Sequence, residues 1–134
     1  MPARRPPDDP LEWLNRAESN LLRARADARL DGVYLEDLCF DAQQAAEKAV
    51  KALLIHRSVE FPFVHDLARL LTLLEHNGLE IPEQIKAAGA LTPYAAITRY
   101  PTLFEPVTEE QYREAIGLAQ TVLEWVQKCL RDAN

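Results

Sequence analysis

The chain has 134 residues, a formal net charge of −6 and 48% hydrophobic residues. That length suits one domain with a core that needs neither disulfide nor metal, and only four glycines among so many apolar residues point to helices rather than sheet. The acidic excess, all of it after residue 33, excludes broad nonspecific nucleic-acid binding, which relies on Lys and Arg to neutralise phosphates; a small local site for a nucleotide or an RNA loop stays open.

The opening MPARRPPDDP carries two arginines with no apolar run behind them, so no signal peptide is expected here. Residues 1–8, rich in proline, read as a disordered or loosely attached tail, and residues 9–132 as a single helical domain. Asp9-Pro10-Leu11-Glu12 reads as a helix start, with Asp9 as N-cap and Glu12 at the capping-box position. This first helix is expected to run to about Leu30, burying Leu14, Ala17, Leu21, Ala24 and Ala28, and to stop at Asp31-Gly32.

The second helix spans roughly Leu35 to Arg57 and contains CFDAQQAAEKAVKALL, Cys39 to Leu54. Leu38, Ala42, Ala45, Ala46, Ala49, Val50, Leu53 and Leu54 recur at helical spacing, and the alanines let neighbouring helices approach closely. Asp41, Gln44, Lys48 and Lys51 lie three or four residues apart and share a polar stripe. After Phe61-Pro62-Phe63, Asp66 caps a short third helix, Leu67 to His76, which stops at Asn77-Gly78. A fourth begins near Pro82 and ends before Pro101, with a break near Gly89 or Pro93. Thr108-Glu109-Glu110-Gln111 is a capping box opening a last helix, with Tyr112, Ala115, Ile116, Ala119, Leu123, Val126 and Leu130 on one side.

The expected fold is all-α: an up-and-down bundle of about five helices, three long and two short. No uninterrupted apolar stretch is long enough to cross a bilayer, and the expected location is the cytoplasm. Cys39 and Cys129 fall on apolar faces and read as buried free thiols, with a disulfide or redox pair as the alternative. With no CxxC and no Cys/His cluster, neither a metal nor a cofactor is expected. His65-Asp66 would suit a metal-dependent phosphohydrolase only with further ligands, and the remaining histidines are His56 and His76; a helix cap is the simpler reading. Gln43, Gln44, Glu47, Lys48 and Lys51 form either a solvated or dimer-facing seam, or the lining of a groove for a nucleotide or partner. Trp13 and Trp125 read as core or interface anchors.

Trp13-Leu14 and Ala17, the Cys39–Leu54 block, His65-Asp66-Leu67 with Leu70-Leu71, and Tyr94 followed by Arg99-Tyr100-Pro101 stand in an order that resembles the HEPN domain. The resemblance covers about residues 11–130. It implies a helical bundle that pairs into a homodimer. It also implies, for many prokaryotic members, a minimal nucleotidyltransferase partner within a toxin–antitoxin-type module. Active HEPN ribonucleases carry an Arg, about four to six residues, and then a His. Arg99 stands at the corresponding place, but Tyr100 to Glu105 contain no His. Arg69 and His76 have the spacing, yet lie in the third helix, before the expected position.

Metal-free RNA cleavage needs a group that moves the 2′-OH proton or protonates the leaving oxygen, and His suits that near neutral pH. Arg99 alone can stabilise phosphate charge without moving a proton. Three functions follow. The first is a non-catalytic homodimer that binds a nucleotidyltransferase and a nucleotide through Arg99, Tyr100, Gln44, Lys48 and Lys51. The second is a divergent metal-independent ribonuclease toxin using Arg99, or Arg69 with His76. The third is a purely structural helical dimer.

Overall fold

The computed structural model describes residues 3–26, 30–99 and 105–133. The first helix, α1 (Pro10–Ala26), starts where Asp9 accepts the Leu11 amide at 2.9 Å. Its capping box does not close. The Asp9 amide already donates to the Pro6 carbonyl at 3.0 Å, so Glu12 turns its carboxylate to the Arg5 amide at 2.8 Å instead. The Trp13 indole N–H adds a 2.7 Å bond to the Pro7 carbonyl, which holds these preceding residues against the helix. Leu14, Ala17, Leu21 and Ala24 are buried as their spacing predicts. Ala28 lies outside the described residues, and Leu30 is not helical.

Helix α2 (Leu35–His56) is the axis of the molecule, packed against most of the other elements that carry the core. Cys39, Ala42, Ala45, Ala46, Ala49, Val50, Ala52 and Leu54 are fully buried on it. Arg23 bonded to Asp41 and Lys48 bonded to Asn20 show that α1 and α2 run antiparallel. At the far end Arg57 closes the helix, and Ser58 takes a φ of 57°. The Val59 amide reaches back to Leu54 and the Ser58 amide to Ile55, the paired bonds that satisfy the last carbonyls when the following residue is left-handed.

The chain then folds back along α2, because His65 lies beside Gln43 and Glu47. From there α3 (Leu67–His76) starts on its Asp66 cap and ends with the same paired bonds, here with Gly78 at a φ of 96°. The expected fourth helix is three short pieces: α4 (Glu83–Lys86), a 3-10 turn (Ala87–Leu91) and α5 (Tyr94–Ile97). Pro93 cannot donate to a continuing helix, and Thr92 is engaged elsewhere, its hydroxyl accepting the Leu67 amide at 3.1 Å. Helix α6 (Glu109–Asp132) opens on the complete capping box of Thr108 and Gln111 and lies antiparallel to α1, with Gln127 bonded to Glu18 and Gln120 to Arg25.

The fold is an all-α helical bundle. Among the described residues there is no strand, and no helix is long and apolar enough to cross a membrane.

Ser58 holds a conformation that costs an L-residue about 1 kcal/mol and costs glycine little. Ser58→Gly should therefore raise unfolding stability by about 1 kcal/mol, read from the urea midpoint at an unchanged slope.

Candidate functional site

The polar stripe on α2 divides between two neighbours. Gln43, Glu47 and Lys51 repeat every four residues and turn toward the returning connection. All three are buried. One Glu47 oxygen accepts from Gln43 Nε2 at 3.0 Å and meets His65 Nδ1 at 2.8 Å; the other accepts from Lys51 Nζ at 2.9 Å. Gln43 Nε2 also reaches the His65 carbonyl at 3.3 Å, and Lys51 Nζ sits 5.6 Å from the centre of the Phe61 ring. Burial works against the charged form of Glu47, but the bonds from Lys51, Gln43 and His65 outweigh it and hold the carboxyl below its usual range. Sequence spacing alone left this seam solvated, dimer-facing or lining a ligand or partner groove; the Gln43, Glu47 and Lys51 part of it is internal.

Asp41, Gln44 and Lys48 lie along the other edge of α2, which faces α1. Buried Asp41 accepts from Asn20 Nδ2 and from Arg23 Nε, each at 3.1 Å, and from a terminal Arg23 amine. The Asn20 side-chain oxygen accepts from Lys48 Nζ at 2.7 Å. Gln44 is half-buried and donates to Gln43 at 2.7 Å, linking the two clusters. Burial lowers the Lys48 pKa, and Arg16 and Arg23 lower it further, against Glu47 and Asp41. Among the described residues no buried side-chain polar atom lacks a hydrogen-bond partner.

Arg99 is elsewhere. It is exposed just beyond α5, and the two residues before it line a surface cavity of about 710 Å³ with Val33 to Asp37, Pro106 and Val107. That cavity is at the N-terminal end of α2, about 17 Å along the helix from Lys48 at 1.5 Å per residue. Within one chain, therefore, Arg99 is not brought together with Lys48 or Lys51. Tyr100 lies outside the described residues. Arg69 and His76 are exposed at the two ends of α3, two turns or about 10 Å apart along its axis. His56 ends α2, and Arg57 bonded to Asn77 brings the His76 end of α3 to the same place. His56 and His76 thus sit at the opposite end of α2 from Arg99, and His65 is engaged midway by Glu47.

Asp66 accepts the Arg69 amide as the cap of α3, so His65 and Asp66 serve separate partners. Among the described residues no three His, Cys, Asp or Glu side chains converge as a metal-binding set. Cys39 is buried and Cys129 half-buried, and both are free. Burial, with Glu36 nearby, pushes the Cys39 thiol up to about 11 despite a bond from Tyr94. Burial raises Cys129 as well.

The sequence model of the HEPN domain matches residues 11–129. The chain belongs to the HEPN domain family. Among solved structures, the HEPN chain is similar to TT1696 from Thermus thermophilus, at 34% identity and a TM-score of 0.79, over 90% of this chain and 98% of that one. It is also similar to ST0689, an archaeal HEPN homologue, at 32% identity and a TM-score of 0.71, over 89% and 95% of the two chains. None of the curated proteins compared matches it.

Sequence reasoning missed Arg16, Asn20 and Arg23 in this HEPN protein, and the place of His65. Asn20 interrupts the apolar spacing of α1 beside Leu21, and that was the available signal.

Removing one member of a buried pair leaves the other charge uncompensated. Glu47→Ala should cost about 3–5 kcal/mol in urea unfolding, and Glu47→Leu together with Lys51→Met much less. Because folding lowers the Glu47 pKa, its contribution is complete above its ordinary value of 4.5 and is lost as pH falls through the lowered one. Acid unfolding followed by circular dichroism should therefore be less steep in the double variant.

Proposed function

We propose that this HEPN protein is a cytoplasmic homodimeric interaction module without ribonuclease chemistry of its own. It binds a minimal nucleotidyltransferase, with a nucleotide as a further ligand, within a toxin–antitoxin-type pair. The observation that carries the reading is the separation of Arg99 from every histidine of its own chain. His56 and His76 are about 30 Å away along α2, and the His65 Nδ1 is held by Glu47. An Arg without a proton-transfer partner stabilises phosphate charge and does no more.

Dimer formation is supported on α1. Leu22 is 69% exposed, with Glu18 one turn before it and Arg25 one turn after. Two copies crossing antiparallel at Leu22 set Glu18 of each chain against Arg25 of the other, the self-complementarity that a two-fold interface requires.

Purified protein should leave single-stranded RNA intact without metal. Cleavage that disappears in His76→Ala would instead establish the ribonuclease reading. A pull-down should recover a nucleotidyltransferase in a fixed ratio, and Arg99→Ala should weaken that recovery while helicity is unchanged. Leu22→Glu should shift the mass by light scattering from dimer to monomer; an unchanged dimer would place the interface on another face.

A further inference from the structure

Lys48 is half-buried, yet its Nζ meets a neutral partner, the Asn20 side-chain oxygen, and no described carboxylate lies in ion-pair range of it. The other lysine of α2, Lys51, has Glu47 at 2.9 Å. Two arginines flank this ammonium. Arg16 and Arg23 stand four residues before and three after Asn20, so all three occupy one face of α1. Both arginine side chains are more than half exposed, whereas their carboxylate partners Glu12 and Asp41 are buried beneath them. The acids therefore lie on the floor of the α1–α2 groove and the cations on its rim. Arg16 engages Glu12 through Nε alone, at 2.6 Å, and its two terminal amines remain for an incoming acceptor.

Burial and the two neighbouring arginines both disfavour this ammonium, and together they outweigh the opposing charges of Glu47 and Asp41. An anion seated among the three cations would relieve both. Tetrahedral oxyanions suit this donor set, because a guanidinium offers two parallel N–H groups and an ammonium a point charge. We propose that Lys48 and Arg16, with Arg23 adding to the field, form a subsite for a phosphate group on the α1–α2 face. The proposal rests on the binding-module reading and supplies the ligand chemistry of that module. It moves the site away from Lys51, which is committed to Glu47, and from Arg99, which lies at another end of the fold. The phosphate belongs either to a free inorganic ion or to a nucleotide.

The test is calorimetric titration of the full chain with inorganic pyrophosphate and, separately, with ADP, at low salt where surface charges are least screened. Saturable binding of pyrophosphate that weakens by about tenfold or more in both Lys48→Met and Arg16→Gln is the expected result. Arg16 is exposed enough that its variant keeps the fold even if Lys48→Met does not, which circular dichroism would reveal. Tighter binding of ADP than of pyrophosphate would assign the phosphate to a nucleotide, and equal binding to a free ion. No saturable binding, or binding unchanged in Arg16→Gln, overturns the subsite. Recovery of the nucleotidyltransferase separates the two claims. A chain that captures the partner but not pyrophosphate loses the subsite and keeps the module. One that binds pyrophosphate and captures no partner keeps the subsite and loses the module.

Discussion

A carboxylate and an ammonium, both withdrawn from water at the middle of α2, set the position of what surrounds them. Glu47 and Lys51 satisfy each other, but only in part. Each carboxylate oxygen and each ammonium proton needs an acceptor or donor when water is gone. The remaining partners come from Gln43, from His65 and from the face of the Phe61 ring. His65 and Phe61 belong to the connection between α2 and α3, so the demand for partners fixes where that connection lies. Desolvation offsets much of the attraction within such a pair. Its effect falls chiefly on geometry: it aims the start of α3, and through α3 the short turns that follow.

The rest of α2 works by size. Alanines on its inner faces leave room for α1 on one side and α6 on another, and the larger leucines and Val50 fill the space toward the ends. Close approach also brings polar side chains of α1 and α2 within bonding distance. The Asn20, Arg23 and Asp41 contacts therefore form beside the apolar seam rather than out in solvent. The same packing that builds the core thus brings the cations of the two helices to one groove.

Much of the fold was legible because its signals are local. Asp66 with Gly78, and Thr108 with Gln111, mark helix ends by chemistry complete within a few residues, and the chain uses them as written. Glu12 was misread as a capping partner because the competing donor, the Arg5 amide, comes from a segment whose position spacing does not reveal. The break between α4 and α5 was visible in Gly89 and Pro93, whereas the third piece depends on Thr92 bonding across to α3. The site was less legible. Lys48 and Lys51 look alike in sequence, and only the neighbours each meets, Asn20 on α1 and Glu47 on α2, set them apart. Arg99 was grouped with them by resemblance, and one chain holds it at the other end of α2.

The pairing of α1 with α6 has a consequence for the growing chain. The bonds from Gln127 to Glu18, Arg25 to Gln120 and Tyr112 to the Ala24 carbonyl join residues 88 to 109 positions apart. During synthesis α1 and α2 can form an antiparallel hairpin long before α6 exists. The inner face of that hairpin stays open until the last quarter of the protein arrives. Ala115, Ala119, Val122 and Val126 then close it in a single docking step. Until then the nascent chain leaves uncovered the apolar face that α6 will close, even where α3 and α5 have already packed on α2. This is the stage at which the chain is most exposed to aggregation and to capture by a chaperone.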